Sequence, residues 1–159
     1  MPLFYVHLFS PEEIAANKLQ VWDKILSFFQ KPAPNHKKSK VLNETLGGYI
    51  NKVVSYWLMK EPQVFLKYIG ASNRRSKLVE SLFNHLYLSE CVTDLLVRIC
   101  TVPDLKDGID ISDYNEMRND IIQHCINGFE VCEGDEYTSS LLFDILTQIT
   151  KKCYLMVDP

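Results

Sequence analysis

Carboxylates are plentiful in this chain, beside four histidines and five cysteines, but the spacing of these groups assembles no known catalytic or metal-binding device. His7, His36, His85 and His124 are the histidines, and none belongs to an HExxH zinc motif. His124 and Cys125 are sequence neighbours, so on a helix they point to different parts of the surface and make a poor base–nucleophile pair. "DLKDGID", Asp104 to Asp110, superficially looks like a calcium loop. Setting Gly108 on the loop's glycine puts Pro103 and Leu105 where carboxylates are needed and Tyr114 where the bidentate glutamate belongs, so the match fails. The phosphate-cradling GxxxxGKS/T, the dinucleotide GxGxxG and the nucleophile-elbow GxSxG are all missing from the sequence. The expectation is a chain with no catalytic residue, no metal ligand set and no cofactor. The catalytic alternative is a small all-α enzyme whose carboxylates converge only in three dimensions.

The five cysteines, Cys91, Cys100, Cys125, Cys132 and Cys153, form no CxxC and lie in the second half of the chain, three of them within apolar helical patterns. Free cysteine behaves as a small buried hydrophobe, so these read as reduced core or flank residues of an intracellular protein rather than a disulfide framework. The remaining chemistry is that of surfaces. Lys52 and Tyr56 stand four residues apart on the flank of one apolar helical stripe, and Asp94 and Arg98 do the same on another. The plain reading of Asp94 and Arg98 is an intrahelical ion pair worth about 0.2–0.5 kcal/mol. The sharper one is that all four flanking groups line a partner-binding groove between stacked helices.

The elements that would carry these residues follow from periodicity. "SPEE" places a cap at Ser10, proline at the first helical position and Glu13 for a capping box. Ile14, Leu19, Trp22, Ile25, Leu26 and Phe29 continue that helix to about Lys31. The stretch 31–41, with two prolines and four lysines, reads as a solvated linker, with nuclear localisation as the alternative. A helix from about Leu42 to Met59 uses Leu42, Leu46, Tyr49, Ile50, Val53, Val54, Trp57 and Leu58 as its core-facing stripe. Gly47 and Gly48 sit beside that stripe. Each costs a helix about 1 kcal/mol against alanine, which close helix-on-helix packing would explain.

Pro62 opens a short helix that Gly70 ends. Ser72 caps the next helix, Ser89 begins another with Val92, Leu95, Leu96 and Ile99 on one face, and Ser112 or Asp113 caps a sixth. The last helix runs from about Tyr137 to Tyr154, with loops at 103–111 and 130–136. No segment alternates with the period of a strand. The fold expected over 1–159 is a single all-α domain of about seven stacked antiparallel helices, an armadillo- or HEAT-like α-solenoid fragment.

Composition sets the limits. An apolar fraction of 47% and a charged fraction of 23% suit one globular domain, and a net charge of −3 lacks the basic footprint of a nucleic-acid binder. No stretch is apolar for long enough to span a membrane, and the N-terminus lacks the charge of a signal peptide. A cytoplasmic or nuclear protein is expected, without nucleic-acid or membrane partners.

Two stretches read together carry a resemblance. "LNETLGGYINKVVSYWLMKEPQVFLKYI" (Leu42–Ile69) is similar to the motif of SAPS-domain proteins, a Leu-Asn start, a Gly-aromatic and Lys-Val-Val core, then a proline-started short helix. "LVESLFNHLYLSECVTDLLVRI" (Leu78–Ile99) resembles the segment that follows it in that family. The positions on the motif are Asn43, Gly48, Tyr49, Lys52, Val53, Val54, Pro62, His85, Asp94, Leu95, Leu96 and Arg98, while Gly47 stands where the family usually has alanine. The family's domain is considerably longer than this chain. SAPS-domain proteins are regulatory subunits of the type-6 serine/threonine protein phosphatase, a relative of type 2A. The resemblance therefore implies a non-catalytic helical-repeat scaffold, a serine/threonine phosphatase catalytic subunit as partner, and no catalytic residue here. The alternative is a helical interaction module for another partner or for itself.

Overall fold

A computed structural model describes residues 11–31, 42–70, 73–102 and 111–157. The cap at Ser10, the linker after Lys31, the cap at Ser72 and nearly all of the 103–111 loop lie outside the described residues. Among the described residues the chain is all-α, with seven helices and no strand: α1 (Pro11–Leu26), α2 (Glu44–Lys60), α3 (Pro62–Ile69), α4 (Arg74–Asn84), α5 (Ser89–Cys100), α6 (Ser112–Val131) and α7 (Glu136–Val157). α5 packs against α2 and α7, α7 packs equally on α6, α6 packs in turn on α4 and α3, and α1 lies on α3.

The boundaries have local causes. α1 stops at Leu26 rather than near Lys31, because the Ser27 hydroxyl donates to the Lys24 carbonyl (2.7 Å) and the next amides close tighter turns, Phe29 N to Leu26 O and Gln30 N to Ser27 O. α2 begins at Glu44, two residues after the expected start, because Asn43 Oδ1 caps it by accepting from Leu46 N at 2.9 Å. α6 runs on to Val131, which shrinks the expected 130–136 loop to 132–135. Asp135 fixes the start of α7, accepting from Thr138 N at 3.2 Å and from Thr138 Oγ1 at 2.9 Å, and Gly134 supplies the positive φ of 85° that the turn needs.

The core is one continuous apolar cluster. Trp22 of α1 packs among Trp57, Phe65 and Tyr68, with ring centroids 5.3–6.2 Å apart. A fully buried Trp contributes about 3–5 kcal/mol by truncation, so this cluster outweighs the solvent-facing ion pairs that tie α1 to its neighbours, Lys18 to Glu61 and Asp23 to Arg74 of α4. α5 is buried on nearly every side rather than on one face: Val92, Leu95, Leu96, Val97 and Ile99 are all at 0% exposure. A helix apolar all round belongs inside a domain. Glu90, Asp94 and Arg98, spaced by four, form its polar stripe.

Candidate functional site: the seam between α2 and α5

α2 and α5 are zipped by polar contacts along their seam. The Cys91 thiol donates to the Gly47 carbonyl at 3.0 Å. One step along, Asn51 Nδ2 donates to Asp94 Oδ2 at 2.9 Å, and Arg98 Nε donates to the same oxygen at 2.7 Å. Ser55 Oγ donates to Asn51 Oδ1 at 3.3 Å. Burial, and next the charge of Asp94, push the Cys91 thiol up to about 11, so it remains a protonated donor near neutrality.

Beside this seam opens a hollow of about 550 Å³ whose α2 wall includes Glu44, Gly48 and Lys52 and whose α5 wall includes Glu90, Asp94 and Arg98. Lys52, Asp94 and Arg98 are thus brought together as the sequence suggested. The Asp94–Arg98 ion pair of the plain reading forms, and both side chains also line the hollow. Tyr56 does not join them. It borders a second cleft of about 450 Å³ with Trp22, Trp57 and Glu61, where Lys60 Nζ sits 5.9 Å from its ring centroid.

The two glycines also part company. Gly47 is buried against Cys91 Sγ, Phe28 and Leu88, yet a Cβ there would meet them at 3.5–3.8 Å, an ordinary contact. A Cβ on Gly48 would meet nothing within 4 Å, so Gly48 packs against no helix and instead forms part of the hollow's wall. The glycine that close approach does require is Gly128, whose Cβ would stand 2.7 Å from Cδ1 of the buried Leu142; at Gly70 a Cβ would stand 2.7 Å from Oδ2 of Asp113, a half-exposed carboxylate that can swing aside.

Asn51 and Glu90 were not singled out from the sequence. An amide in mid-helix, four residues after a buried glycine, was the available signal for Asn51. Glu90 makes no ion pair among the described residues, and Lys52 makes only the ring contact with Tyr49, 6.0 Å from its centroid. Those are the hollow's uncommitted charges.

Tyr87, also at the hollow, belongs to a relay that fixes the lead-in to α2. His85 is fully buried, with Nε2 2.8 Å from the Lys31 carbonyl and Nδ1 3.1 Å from Tyr87 Oη. A carbonyl only accepts, so Nε2 carries the proton, Nδ1 accepts from the Tyr87 hydroxyl, and that oxygen accepts from Leu42 N at 3.3 Å. His85 is therefore a satisfied core histidine.

The other reactive groups lie elsewhere. Burial pushes the Cys100 and Cys125 thiols up to about 12, and no cysteine among the described residues is in a disulfide. Among the described residues no group of three or more His, Cys, Asp or Glu could hold a metal ion, and no helix is long and apolar enough to cross a membrane. No protein-family model, curated protein or solved structure matches this chain.

Proposed function

We propose that this chain is a non-catalytic helical scaffold that docks a partner protein at the α2–α5 hollow. The resemblance to SAPS-domain proteins makes the first candidate partner a type-2A- or type-6-like serine/threonine phosphatase catalytic subunit, in the cytoplasm or nucleus. One observation carries the reading: the two stretches that bear the resemblance pack on each other, and the motif positions Gly48, Lys52, Asp94 and Arg98 line one hollow at their seam. The mechanism is positioning. The Asn51–Asp94–Arg98 bonds hold the walls in register, while Lys52 and Glu90 offer one charge of each sign to a docking surface.

The test is binding of a purified type-6 catalytic subunit to the immobilised chain, beside a pull-down from native lysate. Lys52→Glu and Glu90→Lys, both at exposed positions, weaken that binding about tenfold, equivalent to about 1.4 kcal/mol. A folded protein that recovers no type-2A-like phosphatase refutes the partner assignment.

The second reading is a helical module for a different partner or for a second copy of itself. The apolar outward face of α2 favours it: Leu46, Tyr49, Val53 and Tyr56 are 42–61% exposed.

A further inference from the structure

The hollow between α2 and α5 is polarised along its length. Cys91 meets Gly47 and, further on, Asp94 meets Asn51, so the two helices run in the same direction. Their charges therefore sort by position, with Glu44 and Glu90 at one end and Lys52 and Arg98 toward the other. Between the ends, Asp94 is committed to Asn51 and to Arg98 Nε, which sets the guanidinium in place. The terminal nitrogens of Arg98 make no other hydrogen bond among the described residues. Three carboxylates against two cations leave the walls one charge negative, so an occupant that is acidic throughout is repelled. Midway, Gly48 withholds a side chain, and a Cβ there would meet nothing within 4 Å.

We propose that the hollow takes an extended segment of a partner protein in which a basic and an acidic residue stand four positions apart. This rests on the docking reading above and names what docks. α5 sets the spacing: Glu90 and Arg98 are eight residues apart on one helix, about 12 Å at 1.5 Å per residue. An extended chain covers about 13 Å in four residues and turns residues i, i+2 and i+4 to the same side. The basic side chain then reaches Glu90, the acidic one reaches Arg98 and Lys52, and the middle one enters the space that Gly48 leaves. Leu88 and Cys91 adjoin that space and make the middle position apolar. A helical segment, about 10–12 Å across, rests on the flanking side chains and leaves that space unused.

Amide NMR titration of the full chain with the capped peptide Lys-Thr-Val-Thr-Glu, and with its reversed order, tests this. At least one order gives saturable shifts at Gly48, Lys52, Glu90 and Arg98. Deleting the second threonine turns the glutamate to the opposite side and weakens binding at least about tenfold. Replacing the peptide's lysine with glutamate does the same, because both ends are then acidic. Gly48→Leu fills the open space, weakens binding about tenfold and leaves the melting temperature undiminished. The proposal is overturned if neither order shifts these amides, if the shortened or acid-only peptide binds equally, or if Gly48→Leu binds as before. Any of these beside capture of the type-6 catalytic subunit leaves the docking reading standing. Peptide binding without that capture supports the proposal and removes only the partner assignment.

Discussion

The Cβ that Gly128 lacks would stand 2.7 Å from Leu142 Cδ1, and Leu142 is only 1% exposed, so its methyl group has nowhere to retreat. This is where α6 and α7 approach most demandingly among the glycine positions of the helices. Gly128→Ala gains about 1 kcal/mol of helix propensity and incurs about 1–3 kcal/mol of overpacking. A net loss of about 1 kcal/mol is expected, read as a lower urea midpoint at unchanged slope.

Gly48→Ala should do the opposite. Its Cβ meets nothing within 4 Å, so the helix propensity gain of about 1 kcal/mol is uncompensated and the midpoint rises. Gly47→Ala, with contacts at 3.5–3.8 Å, falls between the two. The ranking Gly48 above Gly47 above Gly128 is the test, and a destabilised Gly48→Ala would contradict the open wall described for the hollow.

Asn51 and Asp94 form the polar joint between α2 and α5, so their double-mutant cycle should return a coupling of about 0.5–1.5 kcal/mol. Asn51→Leu and Asp94→Leu supply the cycle, measured by chemical denaturation. Additivity of the two substitutions would mean that the bond does not register the helices.

Tyr87→Phe removes both the acceptor for Leu42 N and the donor to His85 Nδ1. The Leu42 amide is expected to exchange with solvent about tenfold faster, the equivalent of a net loss of about 1.4 kcal/mol. Unaltered exchange at that amide would show that Tyr87 does not hold it.

Alkaline pH should destabilise the fold. Cys91 is raised to about 11, and Cys100, Cys125, Tyr68 and Tyr114 to about 12, with burial the leading cause in every case. The native state therefore holds these protons more tightly than the unfolded chain, whose thiols and phenols release theirs near pH 8.5–10. Their contribution is fully present below that range and is lost as pH climbs toward 12. The melting temperature should fall steadily between pH 9 and 11, and a flat profile there would contradict these shifts.

How far the sequence could be read depends on how many sides of a helix are apolar. α3, bounded by Pro62 and Gly70, lies where punctuation puts it. On α2 the period was legible but the direction was not. Leu46, Tyr49 and Val53 belong to a stripe facing away from the core, and a helix apolar over most of its circumference does not announce which side its own fold will cover. α5 hid its depth in a similar way, because Val97 and Cys100 complete a circumference that a single stripe does not reveal. The glycines were legible as helix-weakening positions, but the reason for each depends on the residue opposite, which only the packing supplies. Lys52, Asp94 and Arg98 could be placed on one groove because both flanks adjoin the same seam; Tyr56 falls to the neighbouring cleft a turn further along α2.

His85 and Tyr87 hold the Lys31 carbonyl and the Leu42 amide at once, so one buried pair of side chains from the end of α4 anchors both the tail of α1 and the lead-in to α2. A single substitution there would loosen two distant points of the chain together, which makes this pair a clasp and not merely core filling.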